Sequence, residues 1–121
     1  MIKHEKNGSE STQRVPVLMQ HGIESDMMQW VYNTPETSPA FVLARAGYDV
    51  WLGNNRGNRF SQTHETLSSK KKEFWHFTWE EQGTKDTPAT IDYILKQTGA
   101  AKVNYVGHSQ GTTSLMAGAS L

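Results

Sequence analysis

The chain has 121 residues, 12 Lys+Arg against 12 Asp+Glu, and no cysteine. That length gives room for one small domain, and the even charge excludes both the basic bias of a nucleic-acid binder and an acidic solvating tail. The missing thiols exclude a disulfide framework or a thiolate metal site within these residues, and no apolar run approaches the length of a membrane span.

Residues 1–14 are polar and aperiodic and read as an arm, which carries His4. They show no apolar core of a signal peptide. Asn7-Gly8-Ser9 matches a glycosylation acceptor, a tripeptide too common to carry weight. Residues 15–20 predict a short apolar strand that ends in His21-Gly22. Residues 21–37 predict a loop anchored by Met27, Met28, Trp30, Val31 and Tyr32. Ser38-Pro39 predicts a helix start, with the serine as N-cap and the proline in the first helical position. Gly47 supplies the stop after Ala46.

Residues 48–53 predict a second strand and 54–59 a polar turn. Residues 60–77 are polar with interleaved aromatics and read as irregular. Residues 78–98 predict a long helix closed by Gly99, with Ala89, Ile91, Ile94 and Leu95 at helical spacing. Pro88 lies inside it and predicts a kink, or a restart capped by Thr87. Residues 103–106 predict a third strand. The order is β, α, β, α, β, α, with strands continuous in apolar residues. That order implies an α/β fold with a parallel sheet of about three strands and right-handed crossover helices.

The third strand runs into Gly107-His108-Ser109-Gln110-Gly111, and a segment rich in Ala, Leu, Met and Thr follows. Strand, sharp turn and helix with a serine at the apex form the layout of a nucleophile elbow. The glycines have a steric reason: strand and helix approach closely there, and a Cβ would obstruct them. The helix N-terminus behind the serine favours developing negative charge. Ser109 is therefore the candidate nucleophile. Such a serine needs a base and an orienting acid. In this layout both follow the serine along the chain, yet no Asp, Glu or His occurs after Ser109.

His108 adjoins the serine but is rejected as its base, because neighbouring residues at an elbow point in different directions. His21 is assigned to holding the following loop by hydrogen bonds. His64 and His76 are assigned to surface or packing roles. No His-Glu-x-x-His run and no helix-spaced histidine pair is present, so no metal is expected. Asp86 and Asp92 read as solvated or capping residues, and Asp49 as structural. Arg56 and Arg59 read as a polar turn locked by charge pairs rather than a phosphate site, because no P-loop pattern surrounds them. Lys70-Lys71-Lys72 reads as a solvated stretch. Trp51 reads as core, while Trp30, Trp75 and Trp79 are open between core and pocket wall.

Several blocks resemble, in order and in spacing, the acid lipase family. They are Val17-Leu-Met-Gln-His-Gly-Ile23, then Phe41-Val-Leu-Ala-Arg-Ala-Gly-Tyr-Asp-Val-Trp-Leu-Gly-Asn-Asn-Arg-Gly57 and Glu73-Phe-Trp-His-Phe77. Two more follow: Asp86-x-Pro-Ala-Thr-Ile-Asp-Tyr-Ile94 and Val106-Gly-His-Ser-Gln-Gly-Thr-Thr113. The resemblance implies an α/β-hydrolase fold that hydrolyses triacylglycerols or cholesteryl esters without a cofactor. It implies Ser109 as nucleophile and the backbone N–H groups of Gln110 and Ile23 as the oxyanion hole. It also implies a lipid ester as substrate, a lysosomal or secreted location and, in a full-length form, transient contact with a lipid surface. Nucleic acid and a transmembrane anchor are not expected.

The family's acid, histidine and cap match nothing in this chain. Residues 15–121 therefore read as the N-terminal part of an incomplete hydrolase domain, an internal slice of a family member. Two alternatives stand beside the lipase. One is a non-catalytic fragment, which would aggregate through exposed sheet edges and an uncovered apolar face. The other is a different α/β-hydrolase, a small-ester esterase or a peptidase.

Overall fold

The computed structural model describes residues 14–120. Residues 1–13, with His4 and the Asn7 tripeptide, lie outside the described residues, as does Leu121. Three strands, β1 (Pro16–Gln20), β2 (Asp49–Leu52) and β3 (Asn104–Gly107), form a parallel sheet in the order β2-β1-β3. In register, Leu18 lies opposite Trp51 on one side and Tyr105 on the other. All five residues of β1 are buried. A central strand covered on both faces needs a continuous apolar run rather than an alternating one. Val17 and Met19 share one face by the two-residue period, and they pack with Trp30, Ala40, Ala44 and Val50 as the core.

α1 (Pro39–Arg45) follows Ser38 as expected, with the proline in its first turn. The expected serine cap is absent: Ser38 makes no capping hydrogen bond, and its Oγ is fully buried without a partner. Burial decided the matter, because the side chain points to the interior rather than over the helix end. Ala40 and Ala44, one turn apart, let α1 sit close to the sheet. Gly47 takes φ +95° at the exit, where only glycine is unstrained. β2 is an edge strand, so Trp51 is half-buried rather than core. Its ring meets Tyr93 edge-on at 6.2 Å, and its Nε1–H donates to Asp49 at 2.8 Å.

The long helix begins at Thr78, which closes a capping box with Glu81 ahead of α2 (Trp79–Glu81). It runs through a π-helical turn, Gln82–Asp86, into α3 (Thr87–Thr98). The expected kink or Thr87-capped restart is replaced by this wide turn. Thr87 is helical (φ −63°, ψ −51°), and its N–H bonds the carbonyl of Gln82, five residues back. Pro88 has no N–H, and its ring would clash with the carbonyl four residues before it. Widening the turn just ahead of it accommodates both defects. α3 ends at Gly99 in the left-handed conformation, as the sequence predicts.

β3 leads through the elbow to α4 (Gln110–Ala119), which packs on the π-turn backbone to backbone. A Cβ on Gly83 would meet the main chain of Ser114, and one on Gly118 would meet the main chain of Gly83. No described helix is long and apolar enough to cross a membrane.

Candidate active site

The three parallel strands deliver their C-terminal ends to one edge of the sheet, where ligands bind in open α/β sheets. β1 delivers His21 to Glu24, β2 delivers Asn54 to Arg59, and β3 delivers the elbow. Ser109 has φ 51° and ψ −119°, and Glu24 has φ 54°. These are the only non-glycine residues at positive φ among the described residues, and both border this edge. Such a conformation costs about 1–3 kcal/mol and persists only where the surroundings impose it.

The surroundings are the elbow glycines. A Cβ on Gly107 would lie 2.8 Å from the N of Thr112, and one on Gly111 would lie 2.6 Å from the carbonyl oxygen of Gln20. Strand, turn and helix therefore interlock with no room for side chains. Ser109 is exposed, and its hydroxyl has no hydrogen-bond partner among the described residues. His108 is also exposed and makes no bond to it. No acid or base of residues 14–120 hydrogen-bonds this serine.

The loop after β1 lies directly against the elbow. A Cβ on Gly22 would lie 3.0 Å from Nδ1 of His108 and 3.1 Å from Cβ of Ser109. The next residue, Ile23, is 67% exposed. The backbone N–H groups of Ile23 and Gln110 have no hydrogen-bond partner among the described residues. Gln110 is the first residue of α4, so its N–H is one of the donors a helix leaves free.

His21 is buried, and its ring ties this loop to the turn after β2. Nε2 accepts from the backbone N–H of Asn55 at 3.1 Å and lies 3.0 Å from Nδ2 of Asn58, while Nδ1 lies 2.7 Å from the carbonyl oxygen of Gly22. Gln29 adds a second hold, accepting from the N–H of Gly22 at 3.3 Å. Asn55, Asn58 and Gln29 were not singled out in the sequence. The only signal for the asparagines was the turn chemistry of 54–59.

The two arginines are engaged as charge pairs. Arg56 clamps Asp86 with a closest approach of 2.5 Å, and Arg59 pairs with Asp26 at 2.7 Å. Asp86 is therefore neither solvated nor a cap: it accepts from the Arg56 side chain and backbone N–H and anchors the turn to the π-helical segment. The carboxylate beside it raises the Arg56 pKa. Asp92 and Lys70 to Lys72 are exposed. His64 holds its own loop, its Nδ1 accepting from the N–H groups of Thr66 and Leu67 at 3.1 Å each.

A groove of about 580 Å³ opens beside the elbow. Its walls include Ile23, Trp75, Phe77, Trp79, Gln82 and Gln110, whereas Ser109 is not among its lining residues. Trp75 and Trp79 are thus pocket wall and Trp30 is core, which resolves the choice the sequence left open.

Parallel strands, crossover helices and a serine on a strained strand-to-helix turn define an α/β hydrolase, and residues 15–120 match the α/β hydrolase fold family. The chain belongs to that family, and within it to the acid lipases. It is 50% identical over 113 residues to the gastric triacylglycerol lipase of Rattus norvegicus, covering 93% of this chain and 29% of that protein. It is 49% identical over 108 residues to the lysosomal acid lipase/cholesteryl ester hydrolase of Homo sapiens, covering 89% and 27%. With lipase member M of Mus musculus it shares 52% over 100 residues, covering 83% and 24%. The chain thus spans 24–29% of the length of these relatives.

Proposed function

We propose that the full-length protein carrying this chain is an acid-type lipase, which cleaves triacylglycerols or steryl esters with Ser109 as nucleophile. The observation that carries the reading is the pairing of an exposed, strained serine with two unpartnered backbone amides, Ile23 and Gln110, on the elements that meet at it. Ser109 Oγ attacks the ester carbonyl and forms the C–O bond. Its proton passes to a base from outside residues 14–120, since none of these bonds the hydroxyl. The carbonyl oxygen, now an oxyanion, takes hydrogen bonds from the N–H groups of Ile23 and Gln110 at the positive end of α4. Each such donor is worth about 10²–10³ in kcat. Collapse breaks the ester C–O bond, the base gives its proton to the departing oxygen, and the alcohol leaves an acyl-serine behind. Water then attacks this ester and releases the fatty acid and the free serine.

The substrate class is carried over from the names of the relatives, a triacylglycerol lipase and a cholesteryl ester hydrolase. Exposed apolar side chains beside the groove, Ile23, Trp75 and Trp79, suit a long apolar substrate and transient contact with a lipid surface. Residues 15–120 act in this reading as one part of a single hydrolase domain.

The test is hydrolysis of triolein and cholesteryl oleate by the full-length protein, with Ser109→Ala as control. Release of fatty acid that the substitution abolishes is expected. Undiminished release by Ser109→Ala, or none by the wild type, refutes the reading. The 121-residue chain expressed alone is expected to turn over no ester, because no residue among 14–120 bonds the serine as a base.

A further inference from the structure

We propose that His21 is a positioning residue that aims the Ile23 N–H at the reacting centre by fixing the orientation of the Gly22–Ile23 peptide. The proposal rests on the hydrolase reading and deepens it. His21 is only 3% exposed, and both ring nitrogens are engaged. The Asn55 partner is a backbone N–H, which can only donate. Nε2 must therefore accept, and the ring proton sits on Nδ1. From there it is donated to the carbonyl oxygen of Gly22, 2.7 Å away. The Asn58 amide fits the same assignment, its two hydrogens going to Nε2 of His21 and to Oδ1 of Asn54.

The consequence lies in the peptide plane. The described residues contain no cis peptide bond, and in a planar trans peptide the C=O and the following N–H point in opposite directions. Holding the Gly22 oxygen on the His21 ring turns the Ile23 N–H the other way, and that N–H has no partner among the described residues. Gly22 is meanwhile fixed in place by Gln29 on its N–H and by Ser109 and His108 against its Cα. Rotation of the Gly22–Ile23 peptide is the freedom left in the loop, and the imidazole removes it. The amide of Asn55, 34 residues further along, thereby selects the tautomer that orients the donor.

The test compares His21→Gln with His21→Asn in the full-length protein, by steady-state kinetics on a soluble p-nitrophenyl ester and by thermal melting. Asparagine places an amide near the Nδ1 position and can still hold the Gly22 carbonyl. Glutamine places one near Nε2 and cannot. His21→Gln should lower kcat by about 10- to 100-fold with KM little changed, and His21→Asn should recover most of the loss. Wild-type kcat in His21→Gln overturns the proposal, as do losses in both variants that only follow their melting temperatures. Should neither variant fold, ¹⁵N-histidine NMR of the wild-type protein decides. A proton on Nδ1 of His21 is expected, and a proton on Nε2 overturns the assignment. Turnover that survives Ser109→Ala would instead refute the hydrolase reading, leaving the tautomer measurement to judge the positioning claim.

Discussion

Gly22 packs tightly against Ser109: a Cβ there would stand 3.1 Å from the serine Cβ. At that spacing the neighbours must yield by a few tenths of an ångström, and both neighbours are elbow residues. Gly22→Ala should therefore displace the loop after β1, which carries the proposed Ile23 donor, from the elbow. Overpacking of this kind costs about 1–3 kcal/mol. The expected outcome is a loss of turnover, at least about tenfold for a misplaced donor, larger than the drop in stability alone would produce. Parallel measurement of kcat and denaturant midpoint checks this, and an active, destabilised variant would refute it.

Ser109 itself stores strain. Its φ of 51° belongs to a region that glycine occupies freely and other residues do not. Ser109→Gly and Ser109→Ala should both be inactive, but they should differ in stability. Alanine keeps the Cβ penalty and glycine removes it, so the glycine variant should be the more stable by about 1 kcal/mol after its larger chain entropy is offset. Chemical denaturation of the two variants reads the difference directly. Equal midpoints would mean that the turn is not strained.

The contact between the π-turn and α4 depends on two glycines. A Cβ on Gly118 would strike the main chain of Gly83, and one on Gly83 would strike that of Ser114. Neither clash can be relieved by a flexible side chain. Gly118→Ala should destabilise by about 3 kcal/mol, near the upper end for overpacking, and should pull α4 away from the long helix. A helix substitution to alanine ordinarily stabilises by up to about 1 kcal/mol, so the sign of the change is the test.

The elements legible in the sequence were those whose signal is local. The apolar run of β1, the glycine stops at Gly47 and Gly99, and the elbow each lie within a few residues, and each stands where the pattern put it. The readings that failed needed knowledge of distant partners. Ser38 has the identity of a cap, but burial by the core turned its hydroxyl inward. Trp51 has the identity of a core residue, but the strand order left it at an edge. Asp86 looked solvated because Arg56 is 30 residues away, and His21 could be assigned to its loop while Asn55 and Asn58 stayed invisible. Pro88 announced a fault in the helix without saying which form it would take, since a kink, a restart and a π-turn all accommodate a missing N–H.

Tyr105 gives the fold a pH dependence with a defined sign. It lies on β3 and donates its hydroxyl proton to the carbonyl oxygen of Gly111 at 2.8 Å, joining the strand to the start of α4. Burial disfavours the phenolate and pushes the pKa from 10.0 up to about 12. Above pH 10 the unfolded chain releases this proton while the folded chain retains it, so the folded state binds more protons and stability falls as pH rises. The contribution is complete below pH 10 and is lost as pH climbs through about 12. Tyr105→Phe lacks both the hydrogen bond and the titration. It should be less stable than the wild type near neutrality, by about 1 kcal/mol for one hydrogen bond, and the gap should close and then change sign as pH rises from 10 to about 12, because the buried phenolate disfavours the folded wild type. Denaturation midpoints of the two proteins across that range check the convergence. Parallel curves would show that the phenol is not held neutral by the fold.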